Sequence, residues 1–244
     1  MKKVLINILW VLFLTILLLG VPKLSGIIAS LFNYQNLDPH GSYAWISVHH
    51  ILQALIFIFI MAGINRFKPL DFGFGWGNKE VGKKYVLSFT LIFGLGSLAS
   101  HILAILTGSF QPFSYPLTAA NILGQMGFQL FLSGPSEELI FRAFAITMLG
   151  LVIKSRLFKG KVSGANLIAA LIFGLAHVSF SLAPFEVSYI PFQVLLSIIL
   201  GIFYGDCYEK SGSMYYPMMM HSISNVIMVG LTVIASFLLK GGNL

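Results

Sequence analysis

Residues 118–152 read TAANILGQMGFQLFLSGPSEELIFRAFAITMLGLV. Nearly every position is apolar or small, yet Glu137, Glu138 and Arg142 stand in the second half. The run is longer than the roughly 20 residues a helix needs to cross a hydrocarbon core. Gly134-Pro135 lies inside it. Proline lacks a backbone donor and clashes with the preceding turn, so the expectation is one long kinked helix or two shorter ones. An ionisable side chain at bilayer depth costs about 2.5–3.5 kcal/mol even on the lenient insertion scale. Three in one apolar run need a reason, and the default reason is function.

The rest of the chain extends this reading. Of its 244 residues, 57% are hydrophobic and only 9% are charged. A soluble domain carries about a quarter charged residues, so the apolar surplus here must face lipid. Barrel-type alternation is absent, which leaves helices as the spanning element. Spans are expected over 4–21, 44–64, 85–107, 118–152, 164–183, 191–208 and 214–239. The predicted fold is an all-α polytopic transmembrane bundle of about seven to eight spans, with the active site inside it. Residues 1–117 supply N-terminal transmembrane helices and 118–239 the chemistry-bearing core, in one integrated membrane domain.

The charges fix an orientation. With the N-terminus in the cytoplasm, the inner segments hold every Lys and Arg except Lys23 and Lys240 outside and Arg142 within a span. Such asymmetry follows the positive-inside rule and supports an odd number of crossings up to Lys240, or one further span near the C-terminus. The expected location is the plasma membrane, with the N-terminus cytoplasmic. The net charge of +7 flanks the spans and forms no basic stripe with interleaved aromatics, which excludes nucleic acid as a partner. Cys207 is the only cysteine, so no internal disulfide can form. Met1-Lys2-Lys3 before an apolar run resembles a signal peptide, but Val4–Val21 is long and no small-residue cleavage site follows. It reads as an uncleaved first helix. The loop Pro69–Gly82, with Phe72-Gly-Phe-Gly-Trp-Gly, is expected at the cytoplasmic interface as an aromatic anchor.

Spacing divides the acidic pair. Glu138 and Arg142 are four apart on one helix face, acid first, the favoured order for an ion pair. Glu137 is rotated by about 100° and stands clear of that pair, where low dielectric suits it to general-base work. Later spans add Phe173-x-x-x-His177 and His221-x-x-x-Asn225. Imidazole and carboxamide both donate to a developing oxyanion, so the residues compose a base–orienter–oxyanion set. On a simple depth count, Glu137 and His177 lie about 20 Å from the cytoplasmic ends of their helices and His221 only about 10 Å, a mismatch the fold has to close. His49-His50 and His101 read as rim or packing residues, Asp206 as an interfacial group, and Gly201-x-x-x-Gly205 as a close-packing motif.

In this order, Glu137-Glu138-x-x-x-Arg142, Phe173-x-x-x-His177 and His221-x-x-x-Asn225 resemble the three motifs of the CPBP family, the CAAX proteases and bacteriocin-processing enzymes also called Abi. The similarity covers about residues 118–230. It implies an intramembrane endopeptidase. Glu137 and His177 would activate water, His221 and Asn225 would stabilise the oxyanion, and Glu138, Arg142 and Phe173 would structure the site. The implied substrate is a hydrophobic or lipidated peptide, such as a prenylated tail, a pheromone or a bacteriocin precursor. No cofactor is favoured. If a metal takes part it is zinc on Glu137, His177 and His221, three ligand types that suit a catalytic zinc, although no H-E-x-x-H motif is present. Two other roles stand as alternatives: a non-catalytic immunity or envelope-scaffold protein, and a proton-coupled transporter with Glu137 as relay.

Overall fold

A computed structural model of the chain describes residues 2–182 and 184–241. Its helices are α1 (Lys2–Ala29), α2 (Ala44–Phe67), α3 (Lys79–Leu106), α4 (a continuous run, 119–149), α5 (Gly164–Leu175), α6 (Pro191–Ser211) and α7 (Tyr215–Gly241). Two antiparallel hairpins join them: β1 (Arg156–Leu157) with β2 (Val162–Ser163), and β3 (Ser179–Leu182) with β4 (Phe185–Ser188). The fold is helical, as composition dictates. The span count differs from seven to eight: among the described residues, α1, α2, α3, α6 and α7 are the five helices long and apolar enough to cross a membrane. Helix α5 has 12 residues. That is about 18 Å, short of a core roughly 30 Å thick.

The helices start where polar side chains can take up their free amides. Asp38 is buried and accepts from the backbone of Ser42 (2.9 Å), Tyr43 (2.6 Å) and Ala44 (2.8 Å) at the entry to α2. Burial alone would raise its pKa, but the amide bonds outweigh it and hold the carboxyl below the ordinary value. Asn78 caps α3 and Ser163 caps α5 in the same manner. Helix α6 stops at Gly212, whose φ of 67° is left-handed.

Helix α4 is the central post. Its second half is buried almost throughout, from Leu139 to Leu149, against α1, α2, α5 and α6. Helix α3 packs outside, on α6 and α7. Close approach at α5 and α6 depends on Gly201 and Gly205: a Cβ on Gly205 would fall 1.9 Å from Asn166 Oδ1.

Two local expectations change. The segment 164–183 is not a span. The chain leaves helix at Leu175, and Ser179–Leu182 pairs with Phe185–Ser188, Phe180 opposite Val187 and Ser181 opposite Glu186. Polar and apolar residues alternate there with period two, and this pattern wins over the helical one. The 69–82 loop is also more than a surface anchor. Phe72 is buried and stacks on Phe144 with centroids 6.4 Å apart, while Trp76 remains half-exposed against Tyr215. Gly77, with φ 49°, comes so close to the turn after α6 that a Cβ would lie 2.0 Å from Ser211 O. Ser211, Ser213 and Met214 are buried under this loop. Helix α7 therefore begins inside the protein, which brings His221 level with the middle of α4 and closes the depth mismatch.

Candidate active site

Glu137 and Glu138 occupy a single α-helical turn, Gly134–Glu138, between two π-helical segments, Gln129–Ser133 and Leu139–Phe144. The helix is thus continuous through Pro135, and the missing proline donor is absorbed where the helix type changes. Such π segments are rare and often mark functional sites. Gly134 lets α7 press against this turn: a Cβ there would sit 2.8 Å from Ser222 N.

The two carboxylates have different surroundings. Glu138 and Arg142 are both fully buried. Arg142 Nε lies 2.9 Å from Glu138 Oε2. That contact is close in charge but off hydrogen-bond alignment, whereas Arg142 Nη2 donates to Glu138 Oε1 at 3.4 Å, and the guanidinium also lies over the rings of Phe173 (4.9 Å) and Tyr204 (5.9 Å). His221 Nδ1 donates to Glu138 Oε1 at 2.8 Å. Tyr204 stacks on the His221 ring at 5.2 Å and bonds Ser224 through its hydroxyl. Glu138 is therefore held from two helices.

Glu137 keeps 20% of its side-chain surface exposed. Its Oε2 is 3.7 Å from His221 Nε2, and its Oε1 is 3.9 Å from His50 Nε2. It is the open carboxylate of the pair. Asn225, one turn beyond His221, donates to Ser133 Oγ at 3.1 Å, which ties α7 to the first π segment.

His177 stands in the turn just after α5 and is half-buried. Its Nδ1 is 2.9 Å from Phe173 O. A carbonyl only accepts, so the ring proton is on Nδ1 and Nε2 is left as a base. Among the described residues His177 forms no ion pair with Glu137. The Phe173 ring meets both later-motif histidines edge-on, His177 at 4.9 Å and His221 at 6.0 Å. The zinc set Glu137, His177 and His221 is not gathered into a metal-holding group among the described residues.

His50, Gln53, Ser133, Ser136 and Tyr204 also line the site, although no motif in the sequence marks them. His50 is not a rim residue but a buried one, 2.6 Å from Ser136 Oγ through Nδ1. A signal existed: His50 and Gln53 are three apart in an apolar span, so both face one side of the helix. His101 is a packing residue, bonded to Ser97 O and Thr232 Oγ1. Asp206 pairs with Lys210 at 2.8 Å and accepts from Tyr85.

A partly open carboxylate thus lies beside two imidazoles, inside a bundle with five membrane-length helices among the described residues, the architecture of an integral membrane protein. Residues 119–227 match the family model described as Type II CAAX prenyl endopeptidase Rce1-like, which is the family the three motifs resemble. The matched stretch contains Glu137, Glu138, Arg142, Phe173, His177, His221 and Asn225. No curated protein and no solved structure matches the chain.

Proposed function

We propose that the protein is an intramembrane endopeptidase in which Glu137, with His177, activates water against a peptide bond of a hydrophobic or lipidated peptide. The observation that carries this reading is the asymmetry of the acidic pair. Glu138 is spent on Arg142 and His221, whereas Glu137 is partly open.

The water oxygen attacks the carbonyl carbon and its proton passes to Glu137, with His177 Nε2 as the second base. The C=O electron pair moves to oxygen. In this reading His221 carries both ring protons, Nδ1–H to Glu138 and Nε2–H to the oxyanion. Two carboxylates then face one guanidinium and one imidazolium, and the cluster is neutral. Asn225 gives one amide hydrogen to Ser133 and has a second for the oxyanion. Collapse breaks the C–N bond, and Glu137 returns the proton to the leaving amine.

The substrate is a membrane-bound peptide, a prenylated CAAX-type tail, a pheromone or a bacteriocin precursor, cut near the cytoplasmic face. The membrane is the plasma membrane and the N-terminus is cytoplasmic, an orientation supported by Lys2 and Lys3 at the start of the first helix and by Arg66, Lys68, Lys79, Lys83 and Lys84 from the end of the second to the start of the third. The reaction needs no metal. The test is cleavage of a fluorogenic lipidated peptide by the purified protein, with and without chelator. Loss of cleavage on Glu137→Gln, with chelator inert, is expected. Cleavage that survives Glu137→Gln contradicts the mechanism, and loss with chelator restored by zinc contradicts its metal independence.

A further inference from the structure

We infer that His50, on α2, is a positioning residue for Glu137. This rests on Glu137 being the reacting carboxylate and adds a fourth helix to the three that carry the motifs.

His50 is 6% exposed, so its ring is committed to the protein interior. Gln53 Nε2 lies 3.1 Å from His50 Nδ1 and 3.1 Å from Ser136 Oγ. An amide nitrogen only donates, so Nδ1 accepts and the ring proton of neutral His50 sits on Nε2. That N–H faces Glu137 Oε1 at 3.9 Å. The ring cannot swing away: Phe128 meets it edge-on at 4.9 Å, and Ser136 holds Nδ1 at 2.6 Å. Ser136 is the residue before Glu137, so the same turn of α4 carries both the clamp and the carboxylate it orients.

The geometry assigns the two oxygens of Glu137 to different neighbours, Oε1 to His50 and Oε2 to His221. His50 fixes the rotation of the carboxylate so that one oxygen stays directed at the reacting water. Burying two polar side chains in an apolar span is costly unless they are paired, and Gln53 has no other partner than this cluster among the described residues. The ionisable groups that face the pair are His49 beside His50 on α2, His221 on α7, Glu138 with Arg142 on α4, and Tyr204 on α6.

The experiment compares His50→Phe, which keeps a ring and removes the donor, with His50→Gln, whose amide nitrogen can stand in for Nε2. Both are purified, and kcat and KM are measured on the lipidated peptide. His50→Phe is expected to lower kcat by about 10²-fold with little change in KM, the scale set by misplacing a reacting group. His50→Gln is expected to retain most of the rate. Gln53→Leu, which leaves His50 in place but removes the group that fixes its tautomer, falls between them and carries the test if His50→Phe does not fold. Wild-type kcat in His50→Phe, or in Gln53→Leu where that variant carries the test, overturns the inference. Equal losses in His50→Phe and His50→Gln overturn it too. Glu137→Gln in the same assay separates this outcome from failure of the mechanism itself: if Glu137→Gln is active, the base assignment falls, whatever His50 does.

Discussion

His221 Nδ1 donates to Glu138 Oε1 at 2.8 Å, joining two helices whose contacting residues are 83 positions apart. The bond makes Glu138 the meeting point of Arg142, from its own helix, and His221, from α7. It also turns His221 Nε2 toward Glu137. One buried carboxylate thus serves both the packing of the bundle and the aim of the imidazole.

Removing one member of that cluster should cost more stability than removing Glu137. Glu138→Ala or Arg142→Ala leaves an unpaired charge in a fully buried site, a loss of about 3–5 kcal/mol. Thermal unfolding in detergent reads it as a large drop in melting temperature. Replacing both residues with leucine should be less harmful than the sum of the single changes, because no charge is then stranded.

Helix contact at the site depends on glycines with no room for a methyl group. Gly134→Ala and Gly205→Ala place a Cβ 2.8 Å from Ser222 N and 1.9 Å from Asn166 Oδ1. Each should destabilise by about 1–3 kcal/mol. Gly20→Ala, with nothing within 4 Å, is the control and should unfold at the wild-type temperature or slightly above.

Asp38 gives a pH-dependent prediction. Its folded pKa is lower than the ordinary 3.8. A carboxylate favoured in the folded state contributes stability that is complete above its unfolded pKa and is lost as pH falls through its folded pKa. Asp38→Asn should therefore lower the melting temperature at neutral pH, with the difference from wild type shrinking once pH falls below 3.8. A difference that is constant across that range would contradict the capping role.

Much of this was legible in the sequence because it is local. Apolar run length gave the membrane bundle, and the four-residue spacing paired Glu138 with Arg142. Three motifs in order pointed to the family matched over residues 119–227. What escaped was tertiary or period-dependent. His50 reaches Ser136 across 86 positions, a contact no spacing rule encodes. The first strand of the 179–188 hairpin fell at the end of the expected span 164–183, whose apolar first half reads as helix. The inward start of α7 depends on Phe72 and Gly77 covering the turn at Ser211–Met214, so the depth of His221 could not be counted from its own helix.

The most direct test of the account measures cleavage rate and melting temperature side by side for wild type, Glu137→Gln and Glu138→Gln. The account predicts that Glu137→Gln melts like wild type and loses about 10²–10⁴-fold in rate, the usual scale of general-base catalysis, while Glu138→Gln is clearly destabilised. A Glu137→Gln protein that cleaves at the wild-type rate would contradict it.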